Sequence, residues 1–209
     1  MQKYDSIIFD LDGTLWDAVD SVVEVWNEVL KDVGLEPSMD YQKLSSCMGL
    51  LINQIVEKLI PNATPQQAEK IIAECAKREL GVLSKLGGKL YDGAEEVLGS
   101  LNGKYRLFVV SNCQDGYIQA FFKAHGLRKY FTDYECAGRT GKEKCYNIEK
   151  VVKEYNLNSP IYVGDTASDC DAAAKAGVPF IFASYGFGNA DRYDECAQSF
   201  YDLQRIFLD

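Results

Sequence analysis

Asp10 and Asp12 stand one residue apart at the end of a short apolar run, Ile7-Ile8-Phe9, and Gly13-Thr14 follow them. Such a run has the pattern of a strand buried on both faces of a parallel sheet. Gly13 permits a sharp turn that leaves both acids at the sheet's carboxyl edge, where open α/β folds bind ligands. Two carboxylates crowded there repel each other unless a cation is present. Hard oxygen donors of this kind suit Mg²⁺. A lone Asp in that place is ordinarily a cap or a turn former, so the chemical reading requires partners elsewhere in the chain.

Three further stretches supply them. Ser111-Asn112 follow the apolar run Arg106 to Val110 and place a hydroxyl and an amide at a second strand end. That hydroxyl can cap the next helix or bind a non-bridging phosphate oxygen. Gly164-Asp165 end a third apolar run, Ile161-Tyr162-Val163, and Asp169 lies four residues further on near a helix start. An acid there also complements the helix dipole. Carboxylates so gathered need a cation besides the metal, and Lys142 and Lys144 both precede a helix between the expected strands at 134–137 and 161–163. Counting back from the helix favours Lys144, although a Lys is most often a surface residue.

The elements that position these residues alternate. Asp17 to Val33 has helical spacing and ends at Gly34. From Leu35 to about Leu86 only helices are expected: Tyr41 to Cys47, Ile52 to Leu59, and a long one opened by Thr64-Pro65-Gln66-Gln67 as cap, first residue and capping box. Beyond Gly87-Gly88 the pattern becomes helix 95–101, strand 106–110, helix 117–125, strand 134–137, helix 146–155, strand 161–163, helix 169–176 and strand 179–183, with a weaker strand near 199–201. Strand and helix in alternation imply a parallel sheet with right-handed crossovers. The expected fold is a doubly wound, Rossmann-like α/β core, residues 1–15 and 88–209, with a helical insert over 16–87.

The run Asp10-Leu11-Asp12-Gly13-Thr14-Leu15 resembles the first signature of the haloacid dehalogenase-like (HAD) phosphohydrolases. Ser111 matches the second motif, Lys144 or Lys142 the lysine of the third, and Gly164-Asp165 with Asp169 the fourth. The four motifs lie in the family's order across nearly the whole chain. The resemblance implies Asp10 as nucleophile and Mg²⁺ ligand, and Asp12 as general acid/base that lends the metal its backbone carbonyl. It further implies Asp165 as a metal ligand, with Asp169 supporting it. Ser111 and Lys144 would clamp phosphate oxygens, and Thr14, Asn112 and Lys142 are the remaining substrate-binding candidates. Thr14 would orient Asp12 or cap the turn.

The insert resembles the helical caps of the phosphoglycolate phosphatase-like branch. Ser45 to Gly49 is either its substrate-facing loop or a plain helix–helix turn, and Tyr185-Gly186-Phe187-Gly188 resembles a common loop of the family or is a simple turn. Asp12 argues against a dehalogenase. The expected activity is Mg²⁺-dependent hydrolysis of a small phosphorylated metabolite through an aspartyl-phosphate. A phosphomutase and a non-catalytic binding protein on the same fold stay open, and the insert has no His to favour a mutase.

A net charge of -9 over 209 residues disfavours nucleic acid and anionic membranes as partners. An acidic chain must therefore bind a phosphate ester through local groups: a metal, one or two Lys and helix N-termini. Seven Cys form no CxxC pair and read as reduced, mostly buried thiols of a cytoplasmic protein. A single His, His125, argues against a zinc site and reads as a partner of a helix C-terminus. No signal region or membrane span is apparent. A monomer or homodimer is expected.

Overall fold

The computed structural model describes residues 3–209. The chain begins with β1 (Ser6–Phe9) and then β2 (Trp16–Asp17), followed by four helices: α1 (Val19–Asp32), α2 (Tyr41–Ser45), α3 (Ile52–Leu59) and α4 (Pro65–Leu86). It continues through β3 (Lys89–Leu90), α5 (Ala94–Asn102), β4 (Arg106–Ser111), α6 (Tyr117–His125), a 3-10 turn at Leu127–Tyr130, and β5 (Asp133–Cys136). The remainder is α7 (Ala137–Thr140), α8 (Lys144–Glu154), β6 (Pro160–Gly164), α9 (Ala167–Lys175), β7 (Phe180–Ala183), β8 (Glu195–Ala197) and α10 (Phe200–Leu208).

Six strands form one parallel sheet in the order β5-β4-β1-β6-β7-β8. The first strand sits inside the sheet, and its side chains enter separate cores. Ile7 and Phe9 join the larger core, while Ile8 joins the other with Phe108, Tyr162 and Phe180. This is the two-sided burial that the continuous apolar run predicts. Phe9 pairs with both Val109 and Val163, so β1, β4 and β6 end at nearly the same level and bring Asp10, Ser111 and Asp165 to one edge.

Thr64 caps α4 as its sequence requires: its hydroxyl accepts from the Gln67 N–H at 3.3 Å, and the Gln67 amide oxygen accepts from the Thr64 N–H at 3.0 Å. The helical stretch leaves and rejoins the sheet through a short antiparallel ribbon in which Trp16 pairs with Leu90 and Asp17 with Lys89. The first helix consequently starts at Val19 rather than at Asp17. The Asp17 carboxylate instead accepts from the Val19 N–H at 2.9 Å.

The weak strand near Ser199–Tyr201 is corrected to a helix. Ser199 caps α10 by accepting from the Asp202 N–H, and Phe200, Leu203 and Phe207 repeat at helical spacing into the core. The last strand lies earlier, at Glu195–Ala197. His125 ends α6 just before Gly126, as its sequence position implies, and its ring meets Trp16 edge-on at 5.6 Å, where burial lowers its pKa. All seven cysteines are free, and Cys47, Cys75, Cys136 and Cys170 are buried. Among the described residues no helix is long and apolar enough to cross a membrane.

Candidate active site

Asp10 is the first residue past β1 and is held there by its own N–H, which donates to the Val163 carbonyl at 2.8 Å. Its carboxylate accepts from the Lys144 ammonium at 2.9 Å, and the same ammonium reaches Asp169 at 2.6 Å. All three residues are buried. Lys144 opens α8, and its side chain is 3% exposed. Lys142 is exposed, and its N–H donates to the Thr140 hydroxyl. The structure thus separates the two lysines on burial alone.

Asp165 follows β6 and is gripped from two sides. The Phe187 N–H donates to it at 2.8 Å, and the Thr14 hydroxyl approaches it at 3.5 Å. Thr14 therefore serves Asp165, which corrects the expectation that it orients Asp12. The loop after β7 is more than a turn. A Cβ on Gly186 would lie 2.3 Å from the Asp165 Cβ, and one on Gly13 (φ +83°) would lie 2.2 Å from its carboxylate. Only glycines let the two loops close on that side chain. Asp169 completes the group, and its other oxygen accepts from the Thr166 N–H and hydroxyl at 3.0 and 2.6 Å.

Ligand oxygens of Asp10, Asp165 and Asp169 all lie within 4.8 Å of one another. Three buried carboxylates around a single ammonium leave an excess of negative charge, which burial penalises. Burial is also the main reason the Asp10 carboxyl rises to about 6, with Asp169 adding to the shift and Lys144 opposing it. Burial lifts Asp165 well above the usual carboxylate range, reinforced by Asp169 and Asp10. Lys144 loses solvation as well, but the two carboxylates outweigh that loss and hold it firmly charged. A hard divalent cation fits this donor set: oxygen ligands only, and surplus charge that the cation offsets.

Asp12 is treated differently. Its carboxylate turns toward the indole N–H of Trp16, at 2.9 Å, and the Tyr117 hydroxyl, at 3.1 Å. It is not among the clustered ligand oxygens. Burial first, and the Asp10 charge second, push its pKa up to about 8. Ser111 ends β4 fully enclosed and lines the same small cavity as Asp12. Asn112 lines it too, and its amide N–H donates to the Gly49 carbonyl at 2.8 Å. The loop before α3 therefore faces the cleft: Met48, Gly49 and Leu50 form its wall.

Four contributors carried no role in the sequence reading. Trp16, Tyr117 and Gln114 have no spacing signal. Glu79 has one: Ile71, Cys75, Glu79 and Leu83 recur every four residues on the buried face of α4, so a carboxylate interrupts an apolar stripe. It accepts from Trp26 Nε1 at 2.6 Å and from Gln114 Nε2 at 2.7 Å.

Known proteins resemble this chain over most of its length. The sequence profile of the family described as "Haloacid dehalogenase-like hydrolase" matches residues 7–183. A phosphoglycolate phosphatase of Synechococcus elongatus is 28% identical over 189 residues, 88% of this chain and 85% of that protein. A plasmid-encoded phosphoglycolate phosphatase of Cupriavidus necator is 27% identical over 192 residues, covering 87% and 81%. A haloacid dehalogenase-like family hydrolase from Streptococcus pneumoniae superposes with a TM-score of 0.86 over 99% of this chain and 100% of that one, at 19% identity. The last similarity speaks for the fold alone.

Proposed function

We propose that this chain, which belongs to the haloacid dehalogenase-like hydrolase family, is a phosphatase that removes phosphate from a small phosphorylated metabolite through an aspartyl-phosphate on Asp10. The observation that carries the reading is the divergence of Asp10 and Asp12. One lies beside Lys144 with its pKa near 6, and the other is turned onto neutral donors with its pKa near 8. Two carboxyls whose environments straddle neutrality make a nucleophile and a proton donor.

In that reading a carboxylate oxygen of Asp10 attacks phosphorus, and the bond to the leaving alcohol oxygen breaks. Asp12 gives its proton to that oxygen. Asp12, now ionised, takes a proton from the water that attacks the acyl phosphate, which frees inorganic phosphate and restores Asp10. Trp16 and Tyr117 fix the Asp12 carboxyl so that it serves both steps. Ser111 and the Lys144 ammonium bind the phosphoryl oxygens. Asp10, Asp165 and Asp169, with the Asp12 carbonyl, would hold Mg²⁺, which when bound offsets charge on carboxylate and phosphate. The helices between residues 16 and 87 act as a cap that excludes water and contacts the leaving group.

Hydrolysis of an aryl phosphate by the purified protein tests this. Turnover that needs Mg²⁺ and disappears in Asp10→Asn is expected. No turnover by the wild type across a panel of phosphate esters would leave only a binding protein.

A further inference from the structure

The cavity beside Asp12 carries information about the alcohol that leaves. It is small, about 50 Å³, enough for a few water-sized groups. Its apolar wall comes from Val22, Trp26, Leu44, Ile52 and Ile55, all of them in the helical insert. No Lys, Arg or His lines it. Its carboxyl groups are Asp12 and Glu79. Asn112 Oδ1 is buried without a partner, its orientation set by the amide N–H that holds Gly49. Glu79 uses each oxygen once, toward Trp26 and toward Gln114, and a carboxylate has further acceptor sites. The wall therefore offers acceptors and asks for donors.

A larger cleft adjoins it at Gly49, Leu50 and Asn112 and contains Lys144 and Lys175. Asp12 does not line that cleft. Lys144 is committed to Asp10 and Asp169, and Lys175 is exposed. The group that protonates the leaving oxygen thus faces the small cavity, and the cleft is the way in.

We propose that the ester accepted here has a small leaving alcohol bearing a hydrogen-bond donor, a hydroxyl or an ammonium, and no carboxylate or second phosphate. Glu79 is the residue that selects it. The proposal rests on the phosphatase reading above. Above pH 7, where Glu79 is ionised, a carboxylate placed against it would be buried with a like charge and no counterion, which costs heavily in discrimination. A hydroxyl can donate to Glu79 or to Asn112 Oδ1, and an ammonium has donors for both. The named relatives bear on this directly, because phosphoglycolate, the substrate in their name, carries such a carboxylate.

Three esters that differ only at the far carbon test it: 2-phosphoglycolate, 2-hydroxyethyl phosphate and 2-aminoethyl phosphate, with an aryl phosphate as a fourth arm. With wild-type enzyme and Mg²⁺, kcat/KM for the hydroxyl or the amine should exceed that for phosphoglycolate on the order of 100-fold. Which of the two leads decides between a neutral and a cationic alcohol. In Glu79→Gln, checked for a cooperative melt, the gap should shrink by about tenfold through better use of the acid. Aryl phosphate turnover with phosphoglycolate equal or preferred overturns the proposal and leaves the phosphatase standing. An undiminished gap in folded Glu79→Gln overturns the role of Glu79. No turnover of any of the four overturns the phosphatase reading and this inference with it. Should the variant not fold, the wild-type ratio still decides the substrate class.

Discussion

At the carboxyl edge of the sheet, Asp10, Asp165 and Asp169 cluster together, and one ammonium, Lys144, pairs with Asp10 and Asp169. Across the cavity, Glu79 is buried in α4 with only the neutral donors of Trp26 and Gln114. Both regions bury carboxylates, yet the first is charged in excess and the second is isolated. The first holds the Lys144 ammonium because carboxylates from the ends of β1 and β6 and from the first turn of α9 converge there. The second is held by an indole and an amide, and its carboxyl faces the small cavity. The sheet edge is dictated by the fold, because register alone brings β1, β4 and β6 to one level. The cavity wall is dictated by single residues on helices, and those can change without disturbing the sheet.

Substitutions at the sheet edge should have the larger effects. Asp10→Asn should lower kcat at least about 10⁴-fold, as loss of a nucleophile does, measured with an aryl phosphate at saturating Mg²⁺. Lys144→Met should lower kcat/KM roughly 10²–10³-fold through the lost contact to phosphoryl oxygens. It should also destabilise the metal-free fold by about 3–5 kcal/mol, because a buried pair loses its cation, as read by urea unfolding. Lys142→Ala should change stability by no more than about 0.5 kcal/mol, which separates the two lysines in function as burial separates them in structure.

Mg²⁺ itself sharpens the contrast. At a hundredfold excess over its Kd it should stabilise the protein by about 2.7 kcal/mol, a rise of roughly 5–10 °C in Tm for a chain of this size. Asp165→Asn should remove most of that rise, while Glu79→Gln should leave it in place. Equal losses in both variants would show that the two regions are one electrostatic unit.

The smallest effect is one of pH. Burial raises the Glu79 carboxyl from 4.5 to about 7, so the folded state binds that proton more tightly than the unfolded chain does. Its contribution to stability is full below about pH 4.5 and falls as pH rises through about 7. Glu79→Gln should remove this dependence, with Gln114 turning its amide to keep both hydrogen bonds. Metal-free Tm in the variant should exceed the wild type by a few degrees, roughly 5 °C, at pH 8, and by little at pH 5. A variant less stable at pH 8 would show that the two hydrogen bonds outweigh the burial of charge.

The sheet edge was legible in the sequence for the same reason it is robust. Apolar runs ending in Asp10, Ser111 and Asp165 mark strand ends, and parallel strands deliver their ends to one place. Lys144 needed a helix boundary that no proline marks, and burial resolved it. What stayed hidden depends on contacts between distant segments. Trp16 and Tyr117 meet on Asp12 from residues 105 apart in the case of Tyr117, and no local pattern announces such a pairing. The ribbon of Trp16–Asp17 with Lys89–Leu90 has strands too short for any periodicity. Ser199 was read as strand because Phe200 and Tyr201 favour β structure, whereas its capping role with Asp202 won. Glu79 was legible after all, as a charge on an apolar stripe.

In the proposed reaction Asp10, rather than a water molecule, attacks phosphorus. Rapid acid quench of the wild type during turnover, followed by peptide mapping by mass spectrometry, tests it most directly. A phosphoryl adduct on Asp10 that is absent in Asp10→Asn is the predicted result. Full turnover of ester with no adduct on Asp10 at any quench time, in hands that trap a known acyl phosphate under the same conditions, would contradict it.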